Sequence, residues 1–182
     1  MRTSNSETEL HYVLIPWDRD AVVLAFDPAM FPKVSHICLP GAEQRRLLRD
    51  ARKAAQIPPL AEQMHAYLAG ERIRFATHDL DLRGFTPFRL AVSLAAARIP
   101  YGQIWSYGRL AAAAKSPRAS RAAGQVMASN PLPVVIPCHR VVGSNGGLCG
   151  FRGGLSLKRR LLELEGVALR GKNQVEKPRN GG

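Results

Sequence analysis

The chain is poor in cysteine, in aromatic residues and, past its midpoint, in acids. Its three cysteines (Cys38, Cys138, Cys149) form neither a zinc-ribbon nor a redox spacing. An odd, sparse set excludes a disulfide framework and fits a reducing compartment, where a free thiol persists. No apolar run approaches the length of a bilayer span, which excludes a membrane-crossing helix. The first nine residues are polar, unlike a signal peptide. The expectation is a cytoplasmic protein with no membrane partner. Beyond residue 84 only Glu163, Glu165 and Glu176 face fifteen Lys/Arg, so the whole net charge of +12 sits in the second half. A field of one sign confined to one region fits a polyanionic partner, although charge alone does not separate DNA from RNA or an acidic membrane.

What is present divides the chain near residue 84. Residues 1–84 read as a small α+β unit. Apolar segments 10–15 and 21–26 flank a turn at 16–20, a third strand is expected over 34–39, and helices over 42–56 and 60–69, the latter stopped by Gly70. Residues 78–87 lack periodicity and end in Gly and Pro. The second unit, 85–168, is mostly helical: one helix over 88–98, one from the Ser106 cap to about 114, and an amphipathic one over 155–165 carrying Leu157, Leu161 and Leu164. Residues 169–182 read as a disordered tail.

Between these helices, Ser116-Pro117 signals another start, a cap followed by proline at the first helical position, with the helix ending at Asn130 before Pro131. Two helices joined by so short a turn describe a helix-turn-helix, unless they form an ordinary helical hairpin. The second helix surrounds Arg121 with small residues (Ala119, Ala122, Ala123, Gly124) rather than the long polar side chains that read major-groove edges. Small residues allow close approach to a sugar–phosphate wall, which suits a sequence-indifferent minor-groove binder.

The Ile136-Pro137-Cys138-His139-Arg140 string places a thiol beside an imidazole where an apolar run stops. A reactive cysteine attacks as thiolate and needs a base or positive surroundings; a buried inert cysteine is the plainer reading. An acid is wanted to orient the imidazole. Glu165 sits in the last turn of its helix, where the macrodipole disfavours a carboxylate, so pairing with His139 gives it a reason to be there; Glu163 reads as a solvated surface charge. Residues 142–154 hold six glycines in thirteen positions, a loop able to mould a pocket from main-chain groups. It lacks the GxxxxGK[ST] pattern of a phosphate loop.

Taken together, IPYGQIWSYGRLA, SRAAGQVMASNP, IPCHRVVG, FRGG and LLELEG resemble the O6-alkylguanine-DNA alkyltransferases, the methylated-DNA–protein-cysteine methyltransferase family. The resemblance covers the second half, with LAEQMHAYLAGERIRF as the main match in the first. It implies an α+β fold in which a ribonuclease-H-like domain precedes a helical DNA-binding domain. It further implies irreversible, stoichiometric transfer of an alkyl group from O6-alkylguanine, with O4-alkylthymine left open, to Cys138. The partner is double-stranded DNA bound in the minor groove with the damaged base flipped out, and no cofactor or metal is needed. Arg121 is the finger that fills the gap and Tyr107 crowds the 3′ phosphate, with Arg118, Ser120, Ala122 and Gly124 completing the DNA-facing set. Glu165 orients His139, which acts on the thiol through a water, and Asn130 ties the helix-turn-helix to the active-site loop. The carbonyls of Cys138 and Val141 take the exocyclic amine, the Arg152 N–H takes O6, and Met127, Pro133, Phe151 and Gly153 line the pocket. A monomer in solution is implied, nucleoid-associated if prokaryotic, with cooperative binding on DNA left open.

Phe151 stands where relatives often carry tyrosine, so no phenol donates to O6 there. The zinc site of some relatives has no counterpart, since Cys38 is alone and His11, His36, His65 and His78 lack ligand spacing. The alternative, an alkyltransferase-like protein that binds damage without transfer, commonly carries tryptophan in place of the cysteine; Cys138 is present here. A thiol hydrolase using Cys138 and His139 leaves the helix-turn-helix and Arg121 unexplained.

Overall fold

The structure, a computed structural model, describes residues 9–171 and 173–175. It has the mixed α+β architecture expected. In the first half, β1 (His11–Trp17) and β2 (Asp20–Phe26) form an antiparallel hairpin, and β3 (His36–Cys38) pairs with β2 on the far side. The turn is only Asp18-Arg19, with Asp18 at φ 58°, so Pro16, Trp17 and Asp20 belong to the strands rather than to a five-residue turn. A two-residue loop with a positive φ matches the twist of antiparallel strands. Val22 to Phe26 are all buried, as befits a central strand covered on both faces.

Helix α1 (Ala42–Asp50) is shorter than the expected 42–56. Ala51 turns extended, and Arg52–Lys53 form β4, parallel to His11 and Tyr12. Helical composition loses here to backbone hydrogen bonds at an open sheet edge, which gives the order β3-β2-β1-β4. Helix α2 (Leu60–Leu68) buries Leu60, Ala61, Met64, Tyr67 and Leu68 against the sheet, one stripe at helical spacing. Gly70 follows at φ 96°.

The second half opens with α3 (Pro87–Ala97), where Pro87 follows the cap Thr86. Next come β5 (Trp105–Ser106) and α4 (Tyr107–Ala113), whose cap Ser106 accepts from the Arg109 N–H at 3.1 Å. Helix α5 (Ser120–Ala128) starts later than the Ser116-Pro117 signal indicated. Lys115 at φ 59° and an Ala119 N–H to Ser116 carbonyl bond make 115–119 a separate turn. Arg118 therefore precedes the helix, and Asn130 follows its Ser129 cap. The α4 and α5 pair packs on α3.

Beyond the 3-10 turn Cys138–Arg140, β6 (Val141–Val142) pairs in parallel with β5. Helix α6 (Leu155–Leu164) ends with Glu165 as its cap. The disordered tail expected from 169 is corrected for its described part. β7 (Leu169–Arg170) and β8 (Gln174–Val175) form a hairpin, and its Asn173 carbonyl and Val175 N–H bond Leu148 and Gly146 of the glycine-rich loop. Val175 is buried beside Val142, Leu148 and Leu162, an apolar contact absent from any reading of the tail as merely polar. Residues 176–182 of that tail lie outside the described residues.

One hydrophobic core runs from Val13 through Tyr67, Val92 and Ile136 to Leu161. The boundary expected near residue 84 is thus crossed by continuous packing, and the Ile37 N–H donates to the Pro131 carbonyl at 2.8 Å.

Candidate active site

The apolar run Val134–Ile136, stopped by Pro137, is a buried, irregular approach to the thiol. Val134 sits at φ 75° with its side chain fully buried. For a β-branched residue that backbone is strained, and such strain persists only where packing imposes it. The chain then turns through Cys138, His139 and Arg140, all buried.

Cys138 lies at the base of a small pocket of about 50 Å³. Met127, Asn130, Pro133, Phe151, Arg152 and Gly153 line it from the second half, and the 37–43 segment forms its other wall. A Cβ on Gly153 would come within 2.5 Å of the Leu157 side chain, which explains a glycine at that wall. The Asn130 amide donates to Sγ at 3.3 Å and to the Ile136 carbonyl at 2.8 Å, and its Oδ1 accepts from the Leu132 N–H. Asn130 thus joins the end of α5 to the cysteine loop. Burial pushes the Cys138 thiol up, while the Asn130 hydrogen bond and the Lys158 charge act in the opposite direction.

Behind the thiol, His139 Nε2 is 2.7 Å from Glu165 Oε1, both side chains fully shielded. Glu165 also accepts from Arg140 at 2.8, 2.9 and 3.1 Å and from the Gly102 N–H at 3.1 Å. Burial alone would raise the Glu165 carboxyl, but the hydrogen bonds and charges of His139 and Arg140 prevail and hold it well below the usual carboxylate range. His139 is lowered, first by burial, with Glu165 opposing. The set is then a neutral imidazole, a carboxylate and a guanidinium, with no net charge to desolvate. An ionised carboxylate only accepts, so His139 carries its proton on Nε2. Its Nδ1 is left as a buried acceptor without a protein partner among the described residues.

Three of the site's contacts were not anticipated in the sequence reading. Arg140 is the counter-ion of Glu165. Tyr67, from α2, donates to Glu165 Oε1 at 2.7 Å. Lys158, on the buried face of α6, donates to the Val141 carbonyl at 2.7 Å and the Cys149 carbonyl at 3.3 Å, and burial lowers it to about 8. A lysine directly after Leu157 on an apolar helix face was the available signal for it. The Val141 carbonyl, expected to face the base, is engaged by Lys158 and does not line the pocket. Arg152 lines the pocket mouth, where its guanidinium meets Glu43 at 2.6 Å. Glu163 is exposed and pairs with Arg159, as a solvated helix charge would.

On the helix pair, Arg118, Ser120 and Arg121 are exposed at the start of α5, while Ala122 and Gly124 are half-buried. A Cβ on Gly124 would make only ordinary contact with the Tyr107 ring, at 3.6 Å, which places Tyr107 against this stretch of α5. Burial, with smaller contributions from Cys149 and Cys138, lifts the Tyr107 phenol to about 12, keeping it a hydrogen-bond donor. Among the described residues no grouping of three or more His, Cys, Asp or Glu could hold a metal ion.

Residues 87–167 match the family described as 6-O-methylguanine DNA methyltransferase, DNA binding domain. The chain is 47% identical over 104 residues to a methylated-DNA–protein-cysteine methyltransferase of Mycobacterium tuberculosis, covering 57% of this chain and 62% of the relative. It is 44% identical over 121 residues to the constitutive methylated-DNA–protein-cysteine methyltransferase of Bacillus subtilis, covering 64% of this chain and 72% of that one. The Mycobacterium tuberculosis OGT solved in complex with DNA superposes with a TM-score of 0.71 at 34% identity, over 86% of this chain and 93% of that one. With a relative of this identity matched over more than two thirds of its length, and the fold shared with a solved member, the chain belongs to the methylated-DNA–protein-cysteine methyltransferase family.

Proposed function

We propose that this protein repairs duplex DNA by taking the alkyl group of O6-alkylguanine onto Cys138, once per molecule. The observation that carries this reading is a buried thiol at the base of a pocket, held by an amide donor, beside a histidine whose partnered nitrogen faces an ionised carboxylate. DNA is the partner that the helix-turn-helix and the basic second half suit. The Mycobacterium tuberculosis OGT, which shares this fold, was solved in complex with DNA, and that supports the reading.

Arg121, exposed at the start of α5, enters the stack from the minor groove as the guanosine rotates out. Arg118, Ser120, Ala122 and Gly124 approach the backbone, and Tyr107 crowds the neighbouring phosphate. Unstacking costs a few kcal/mol, less for a poorly paired base, which favours alkylated guanine. The base enters between Met127, Pro133, Phe151 and Gly153. His139 Nδ1 draws the Cys138 proton through a water, and the thiolate attacks the alkyl carbon as the carbon–O6 bond breaks. The electron pair leaves on the guanine, which takes up a proton, and sulfur keeps the alkyl group as a thioether. Phe151 offers no proton at O6, so the Arg152 N–H is the nearer donor to the leaving oxygen.

Incubation with duplex DNA carrying O6-methylguanine should add one methyl mass to the Cys138 peptide, and Cys138→Ala should abolish the addition. An unmodified thiol at saturating DNA would sink the reading. Arg121→Ala should slow transfer from duplex while sparing reaction with free O6-benzylguanine, because only the duplex requires flipping.

A further inference from the structure

Tyr67 lies outside the half that carries the thiol, yet its hydroxyl ends inside the acid–base pair. It is fully buried, donates to Glu165 Oε1 at 2.7 Å, and stands 3.4 Å from His139 Nε2. Its ring is fixed by Phe75 at 5.6 Å and Tyr101 at 6.0 Å between centroids. Burial, followed by the Glu165 charge, keeps the phenol protonated far above its ordinary value. It is therefore a permanent donor. Oε1 receives Tyr67, His139 and Arg140, while Oε2 receives Arg140 and the Gly102 N–H. A carboxylate offers about four good acceptor sites, so Glu165 is saturated.

We propose that Tyr67 is a positioning residue of the transfer reaction: by sharing Oε1 with His139 it fixes the carboxylate and limits its pull, so that the imidazole stays neutral with Nδ1 free to take the thiol proton. This rests on the alkyl-transfer reading. Removing the hydroxyl concentrates the carboxylate charge on His139 and raises the imidazole's affinity for a second proton. The other charges facing the pair are Arg140 and Lys158, which oppose protonation. The Tyr101 hydroxyl is committed to the Leu164 and Gly70 carbonyls. None of these changes in Tyr67→Phe, so the shift has one sign. The imidazole titrates at higher pH, and the base is lost earlier as pH falls.

The test is the single-turnover rate of methyl transfer against pH for wild type and Tyr67→Phe, with the His139 ring titration followed by NMR in both. The expected result is an acid limb and a His139 midpoint that both move up by about half a pH unit or more, with a several-fold loss of rate near neutrality. A double-mutant cycle with Glu165→Gln separates structure from chemistry. With the carboxylate charge gone, Tyr67→Phe should no longer move the acid limb. Superimposable pH profiles, or an equal shift in both backgrounds, would overturn the proposal. If wild type itself transfers nothing, the function proposed above fails, while the His139 titration still decides the role of Tyr67.

Discussion

Replacing Arg140 with methionine removes the counter-ion of a carboxylate that is only 4% exposed. The substitution deletes three nitrogen–oxygen contacts of 2.8, 2.9 and 3.1 Å and a fourth hydrogen bond, to the Ile99 carbonyl. Breaking a buried ion pair from one side costs about 3–5 kcal/mol, because the surviving charge stays desolvated. For a chain of 182 residues, an unfolding entropy of about 2.1 cal/mol/K per residue amounts to about 0.4 kcal/mol per kelvin. Arg140→Met should therefore melt about 8–13 °C lower at pH 7 by calorimetry. The sign of the pH dependence is also fixed. In wild type the folded Glu165 carboxyl lies below its unfolded value, so its contribution is complete above the unfolded pKa and is lost only as pH falls through the folded one. Without the guanidinium, burial pushes that carboxyl upward, and protonation then relieves the unpaired charge. The deficit should shrink between pH 7 and pH 5. A melting loss below about 3 °C, the size of an exposed pair, or a deficit independent of pH, would refute the reasoning.

Glu43→Gln opens the pocket mouth by releasing Arg152. Since both side chains are nearly half exposed, the pair is worth about 0.2–1 kcal/mol. Benzyl transfer should speed up by no more than about fivefold, and methyl transfer should barely change; a slower benzyl reaction would count against a gate. Asn130→Ala removes the amide donor to Sγ, and hydrogen bonds to charged groups are worth about 1.5–3 kcal/mol. The thiol should then titrate about one to two units higher, read from the pH dependence of its reaction with iodoacetamide; an unmoved midpoint would refute it. Truncation after Ala168 takes away the β7–β8 hairpin and uncovers Leu148. Amide exchange at 143–149 should accelerate while α3 and α6 stay protected, and unchanged exchange at Leu148 would show that the hairpin does not hold the loop.

The chemistry was legible where residues adjacent in sequence are adjacent in space. Cys138 and His139 share one turn, and the scarcity of acids in the second half left Glu165 as the natural partner. The same reasoning could not find Tyr67, which reaches Glu165 across 98 positions, because an amphipathic stripe explains a buried tyrosine on α2 without any polar role. Arg140 read as part of a basic field, whereas its charge is spent on one carboxylate. Helix ends depart from local preference where tertiary bonds compete with it. Arg52 and Lys53 joined a sheet edge instead of prolonging α1, and the turn at 115–119 used the Ser116-Pro117 signal without starting a helix there. The hairpin at 169–175 was invisible because its apolar anchor is only Val175, with Leu169 partly buried against the same cluster.

The two-residue pairing of Trp105 and Ser106 with Val141 and Val142 acts as a ruler. It sets the start of α4, and so Tyr107, at a fixed reach from the loop that bears the thiol. An added residue in either strand would lengthen one arm by about 3.3 Å, more than the span of a hydrogen bond. Under the alkyl-transfer mechanism proposed above, the distance a nucleotide would travel from its stack to sulfur is thereby written into backbone register, not left to side-chain adjustment.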